Sequence, residues 1–289
     1  MNEASIREFW NGHPCGEGLI GDAHRYSVNY EEFFKHYDDY RYRTEAHIPR
    51  CLDAIGFSGK RTLEIGLGQG ADSEQIIRRG GLWSGLDLTP ESVERVRLRL
   101  RLRKLPFEAL ERGSALDIPF SDRTFDIVYS HGVLHHIPDI TRAQSEICRV
   151  LKPNGELVVM LYAKWSLNYL LSIALLRRLG LIGLYASGYS ADSIYGQHVA
   201  NARNVGLMNY LCMETFIHRN TDGPLNPYAK VYDLSHVRRD FGKFAIVKAY
   251  KRFMHAPPLP LSWLPAQRLL GWHLWVHLRP SDPPVTTVG

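Results

Sequence analysis

Three histidines near the middle of the chain, His131, His135 and His136, and two upstream acids, Glu64 and Asp87, are the residues whose types suit chemistry. Histidine changes charge near neutral pH, which fits it to take a proton from an alcohol or phenol. His131 closes the apolar run Phe125-Asp126-Ile127-Val128-Tyr129-Ser130-His131, which reads as a buried strand. His135 and His136 are adjacent, so on a helical turn they point in different directions and at most one faces a pocket. The plain alternative is that this pair packs and caps within the fold.

The two acids frame a turn with glycine at alternate positions, Gly66-Leu67-Gly68-Gln69-Gly70, after the apolar segment Thr62 to Ile65. Glycine there admits positive φ and lets a ligand approach the main chain. The helix start that follows would aim free amides at a carboxylate or phosphate. Gly66, Gly68 and Ala71 also satisfy the loose dinucleotide fingerprint. Glu64 leans the other way: a carboxylate at the strand end repels a pyrophosphate and welcomes an ammonium or sulfonium. Gly70 widens the loop beyond the dinucleotide turn. Asp87 lies at the end of the strand Leu82 to Leu88, where an acid meets ribose hydroxyls, and nucleoside cofactors of both kinds want it.

The elements around these residues follow from pattern. Glu31 to Tyr42 and Ala46 to Ile55 read as helices in an aromatic N-terminal segment holding Trp10, Tyr26 and Tyr42. That segment is a packed cap or a lid whose aromatics line a pocket. Thr89-Pro90-Glu91 starts a helix, with Thr as N-cap and Pro at the first position. The run Arg95 to Lys104 alternates arginine with apolar residues, but its place between parallel strands calls for a crossover helix with a solvated flank. A third strand falls in 107–117, a helix spans Asp139 to Leu151, and Gly155 to Tyr162 is a fifth, strongly apolar strand. The rhythm then breaks over 163–230, where Leu167 to Leu176 is apolar nearly all round and too short to span a bilayer. That stretch is an insertion helix, a membrane-surface contact, a dimer contact or a pocket roof. Regular pattern resumes with a helix at Asp233 to Phe241 and strands at Ala245 to Phe253 and Leu269 to Leu278.

With 289 residues, 45% of them hydrophobic, the chain can bury one large core plus an insertion. A net charge of +5 permits an anionic partner without demanding one. The four cysteines, Cys15, Cys51, Cys148 and Cys212, are scattered, so no zinc site or disulfide framework is expected and a reducing cytoplasm is the default. The polar start of the chain lacks the layout of a secretion signal.

Four ordered blocks resemble class I S-adenosylmethionine-dependent methyltransferases. They are Leu63-Glu64-Ile65-Gly66-Leu67-Gly68-Gln69-Gly70, then Gly85-Leu86-Asp87-Leu88, then Ile118-Pro119-Phe120 through Phe125 to Ile137, and Arg149-Val150-Leu151-Lys152-Pro153-Asn154-Gly155-Glu156-Leu157. Phe9 to Gly16, Arg41-Tyr42 and Gly223-Pro224-Leu225-Asn226-Pro227 resemble a bacterial subgroup that fixes no single substrate. The resemblance implies an α/β, Rossmann-like doubly wound sheet of seven strands with the last antiparallel. It assigns S-adenosyl-L-methionine as cofactor, with Glu64, Gly66, Gly68 and Gly70 at the methionine part and Asp87 at the ribose. Leu88 beside Asp87, and Ser130 and His131 past the fourth strand, belong to the same set. Relatives often carry an aspartate after the glycine matching Gly113, where this chain has Ser114, so Ser114 with the Ala115 amide is assigned the adenine.

The expectation is a cytoplasmic methyltransferase of a small, hydrophobic or aromatic molecule, with oxygen favoured and nitrogen, sulfur or carbon open. His131 is the first choice of base and His136 the second; Trp10, Tyr26 and Tyr42 are pocket walls. No metal, no nucleic acid and no membrane span are expected, peripheral membrane contact stays open, and the chain is a monomer or homodimer. The expected divisions are a cap at 1–58, a cofactor core at 59–162, a lid insertion at 163–230, the rest of the core at 231–280 and a tail at 281–289. The rivals are an RNA or protein methyltransferase, motivated by the arginine run, an NAD(P)-dependent oxidoreductase on the same glycine turn, and a binding-only protein.

Overall fold

Parallel strands buried on both faces need continuous apolar sequence, and this chain supplies it in the middle of its sheet. The computed structural model describes residues 3–13 and 29–281. β1 (Arg61–Ile65), β2 (Leu82–Asp87), β3 (Ala109–Arg112), β4 (Phe125–His131) and β5 (Leu151–Tyr162) run parallel, and β6 (Phe244–Arg252) and β7 (His273–Pro280) close the sheet. The order is β3-β2-β1-β4-β5-β7-β6, with β7 antiparallel to both neighbours. Strand order reverses between β1 and β4, so their carboxyl ends open a crevice.

Helices cover both faces. In chain order they are α1 (Glu3–Gly12), α2 (Tyr30–Thr44), α3 (Ile48–Asp53), α4 (Ala71–Arg78), α5 (Pro90–Leu102) and α6 (Ile140–Val150). One core layer joins Leu63, Val128, Val159 and Leu161 of the strands to Ile140 and Ile147 of α6. The other joins Ile76 of α4 and Val96 and Leu100 of α5 to Trp83, Tyr129 and Trp275. Thr89 caps α5 as its sequence indicates, accepting from the Ser92 amide at 3.4 Å.

The arginine run on α5 differs from a solvated flank. Arg95 and Arg99 are buried, because α2 packs over this side of α5 and brings aromatic rings and acids. The Arg99 guanidinium lies 5.0 Å from the Phe34 ring centroid and Arg95 sits over Tyr30 and Phe33. β5 begins at Leu151, earlier than its apolar core, with a bulge in its pairing to β4 that accommodates Lys152 to Gly155. The final strand starts at His273 because Gln267–Leu270 closes a helical turn first.

The segment after β5 is helical. A π-helix (Asn168–Arg177) continues directly into α7 (Arg178–Ala186), followed by α8 (Ile194–Val205), α9 (Leu207–Leu211), α10 (Met213–Arg219) and, back on the core, α11 (Leu234–Asp240). The apolar stretch expected to be too short for a membrane therefore runs on through Arg177-Arg178. By length and composition alone the 19-residue helix Asn168–Ala186, of mean hydropathy 1.4, could cross one. Arg177 and Arg178 are both helical and do not end the element.

Candidate active site

The crevice beyond β1 and β4 is a cleft of 340 Å³. Its floor is Glu64 to Gln69, one wall Leu86 to Thr89 with Ala115 and Leu116, the other His131 to Val133 with His136 to Asp139. Glu3, Ile6 and Trp10 of α1 and Tyr37 and Arg41 of α2 close it from above.

The glycine turn has the conformation that demands glycine. Gly66, Gly68 and Gly70 have φ of +80°, +51° and +75°. A Cβ on Gly66 would stand 2.1 Å from the Val133 side chain. Asp87 pins this turn: its carboxylate accepts from the Leu67 amide at 2.7 Å and from the Thr89 amide and hydroxyl at 2.8 Å each. Burial raises its pKa and these bonds oppose the rise. Glu64 accepts from the Trp83 indole at 2.8 Å. Burial, helped by the nearby Asp72 charge, pushes the Glu64 carboxyl up to about 8, so near neutrality it is largely protonated.

Beside Glu64 the charged carboxylate is Asp72, in the first turn of α4. Burial would raise it, but Arg41, His131 and the Tyr129 hydroxyl hold it well below the usual range. Its oxygens accept from Arg41 Nη2 at 3.0 Å and Tyr129 Oη at 2.8 Å, and His131 Nδ1 lies 2.7 Å away. Arg41 Nη2 is itself 2.9 Å from that histidine nitrogen, while Arg41 Nε is buried without a hydrogen-bond partner.

His136 is held differently. Its Nδ1–H donates to the Tyr228 carbonyl at 2.7 Å, which leaves the lone pair on Nε2. Nε2 has no hydrogen-bond partner and lies 3.5 Å from the Asp222 carboxylate. Asp222 accepts from the Tyr162 hydroxyl at 2.9 Å, and the Trp10 ring stands edge-on to His136 at 5.1 Å.

Of the residues singled out in the sequence, Glu64, Gly66, Gly68, Asp87, Leu88, Ala115, His131, His136 and Trp10 line the cleft together. Others sit behind it. Gly70 packs where a Cβ would come 3.0 Å from Val96 and 3.1 Å from Arg99, so it serves helix packing. The Ser130 hydroxyl donates to the Ile65 carbonyl at 3.0 Å, Tyr42 donates to the Ala71 carbonyl at 3.2 Å, and Ser114 is engaged by Glu3 of α1. Tyr26 lies outside the described residues. His135 is buried, and burial drives its pKa well below 6.5. Sequence reasoning missed Asp72, Arg41 and Asp222. Acids in a first helical turn commonly complement the helix dipole, so Asp72 carried no distinct signal. Among the described residues, no group of His, Cys, Asp and Glu is arranged to hold a metal ion.

This sheet order, with a glycine turn at the switch point, defines a Rossmann-like class I methyltransferase fold. Residues 63–159, about a third of the chain, match the methyltransferase domain family. Among curated proteins, a phthiotriol/phenolphthiotriol dimycocerosates methyltransferase of Mycobacterium leprae is 34% identical over 117 residues, 39% of this chain and 42% of that protein. A fatty-acid O-methyltransferase of Mycolicibacterium smegmatis is 35% identical over 99 residues, 34% of this chain and 35% of that protein. The matches thus span less than half of these relatives. Among solved structures, a methyltransferase from Methanosarcina mazei superposes with a TM-score of 0.52 at 15% identity, covering 81% of this chain and 98% of that one. A second, from Aquifex aeolicus, gives 0.51 at 12% identity, with 83% and 93% covered. At these identities the superpositions speak for the fold alone.

Proposed function

We propose that this protein is an S-adenosylmethionine-dependent methyltransferase acting on a small hydrophobic molecule, with oxygen the favoured acceptor. The observation that carries the reading is the cleft itself: a glycine turn pinned by Asp87 and a histidine lone pair at His136 open into one apolar-walled space under α1. The names of the relatives, for phthiotriol dimycocerosates and for fatty acids, support a hydrophobic acceptor. Unpaired Cys51, Cys148 and Cys212 support a cytoplasmic setting.

The residues fit the cofactor. The positive-φ turn Gly66 to Gly70 admits a ligand to the backbone, and the unpartnered Nε of Arg41 is a buried donor suited to the methionine carboxylate. Asp72 supplies negative charge for an ammonium, and Asp87, with Leu88 and Ala115, takes the nucleoside. S-adenosylmethionine supplies an electrophilic methyl group when bound. The chain's part is to align the acceptor and remove its proton. His136 is the better base. Its tautomer is fixed by Tyr228, its Nε2 is unbonded, and Asp222 stands where a positive imidazolium would be stabilised. His131 has Nδ1 committed to Asp72, with the Arg41 guanidinium against the same nitrogen, and these contacts make it a positioning residue. Trp10 and Ile6 exclude water from above.

Calorimetric titration with S-adenosylhomocysteine tests the reading. The wild type binds in the micromolar range and Asp87→Ala loses at least about tenfold, since both turn and ribose contacts go. His136→Gln keeps that binding but slows transfer to a hydrophobic phenol by about 10²- to 10⁴-fold. No binding to the folded wild type, or stabilisation by NADH instead, overturns it.

A further inference from the structure

The helix Asn168–Ala186 is apolar on its outer side as well as its inner one. Its first part is π-helical, where hydrogen bonds span five residues and residues five apart share a side; its second part is α-helical, where the spacing is three or four. Leu170, Leu175, Leu179 and Ile182 therefore form one stripe, and they are 42%, 47%, 58% and 41% exposed. The side turned inward carries Ile173 and Leu181 together with Asn168 and Ser172, all buried. Ser172 donates to the Pro257 carbonyl, and Arg177 donates to the Asn220 carbonyl at 2.6 Å. A helix meant for water keeps its leucines in and its polar residues out. This one buries Ile173 and Leu181 but leaves four large apolar residues outside.

The apolar face extends beyond the helix. Lys251 donates to the carbonyls of Trp165 and Leu269 at 2.5 and 2.8 Å, which draws these two exposed residues together just ahead of the helix start. Lys164 lies over the Trp165 ring. Residues 163–191 add Lys164 and Arg178 to this side and contain no Asp or Glu, Asp233 lies 3.9 Å from Lys164, and Lys251, Arg252 and Arg268 add further basic groups to the adjoining strand and turn. Leucines in a stripe, a tryptophan beside them and a surplus of cations over acids are what an anionic lipid interface attracts.

We propose that this face docks on the surface of an anionic bilayer, with the helix lying in the plane of the interface. Crossing is disfavoured because Arg177 and Arg178 fall at mid-helix and the polar side is tied to the rest of the chain. A second copy fits less well: a two-fold contact would set the cations of one copy against those of the other with no acid from this segment to pair them. Binding requires neither cofactor nor methyl acceptor, so it is tested apart from the proposed activity.

The experiment is co-sedimentation of the full chain with sucrose-loaded vesicles of phosphatidylcholine containing about 30% phosphatidylglycerol, against phosphatidylcholine alone. The wild type sediments with the anionic vesicles and at least about tenfold less with the neutral ones, and added salt weakens the anionic binding. Leu175→Glu with Leu179→Glu abolishes sedimentation while the unfolding temperature holds, since both side chains are exposed; Arg178→Glu weakens it. Three results would overturn the proposal. They are a wild type that stays in the supernatant, equal binding by the folded double variant, and a concentration-dependent dimer that the double variant dissociates without any vesicle binding.

Discussion

Asp72 decides the electrostatics of the cleft. Two buried carboxyls stand close together there, and the one facing Arg41 and His131 keeps the charge while Glu64 holds its proton. Removing that charge strands Arg41 in a buried site, because its other ionic contact, to Glu45, is longer at 3.4 Å. Asp72→Asn is therefore expected to cost about 3 kcal/mol in urea unfolding. Tyr129→Phe removes one hydrogen bond to the same oxygen and costs about 1 kcal/mol. A similar cost for both would mean that the charge pairing contributes little.

At the scale of elements, α5 buttresses the glycine turn from behind. Arg99 donates to Glu74 of α4 at 2.9 Å, to Asp38 of α2 at 2.5 Å and to the Gln69 carbonyl of the turn at 3.3 Å. One guanidinium thus ties three segments, with its stem packed where Gly70 leaves room. Arg99→Ala is expected to cost about 3 kcal/mol, as it leaves Asp38 unpaired and Glu74 with Arg78 as its close partner. Arg101, two residues on and exposed, is expected to cost below about 0.5 kcal/mol on the same change. Equal costs measured by chemical denaturation would return the arginine run to a solvated flank.

Over the whole molecule, buried titratable groups set the response to pH. Burial, with neighbouring cations and histidines, lowers His47 to about 3 and His198 and His255 to about 4, and places His135 and His273 well below 6.5. Each must gain a proton on unfolding in acid, so its stability is present above about pH 6.5 and lost as pH falls toward 4. Glu64 acts in the opposite sense. Its folded value is raised, so its contribution is full below 4.5 and lost as pH rises through about 8. These five histidines outnumber that carboxyl where the windows overlap. The unfolding temperature is expected to peak near neutrality and fall steeply in acid, with a gentler decline toward alkaline pH. Glu64→Gln should flatten only the alkaline side; an unchanged alkaline limb would show that Glu64 does not carry it.

What the sequence determined is what lies contiguous in it. Strand periodicity, the glycine turn and the acid closing β2 depend on neighbours along the chain, so Glu64, Gly66, Gly68 and Asp87 were readable as one constellation. The five parallel strands were readable for the same reason, because central strands must be apolar throughout. The tertiary structure decided whatever depends on segments meeting. Arg41 reaches Asp72 across 31 residues and His131 across 90, and His136 takes its tautomer from Tyr228, 92 residues away. Burial of Arg95 and Arg99 required α2 above them, and exposure of the leucine stripe required a π-helical register that an α-helical reading of the same residues does not supply. Side-chain charge and hydrogen bonding act through space, and only packing fixes which groups share it.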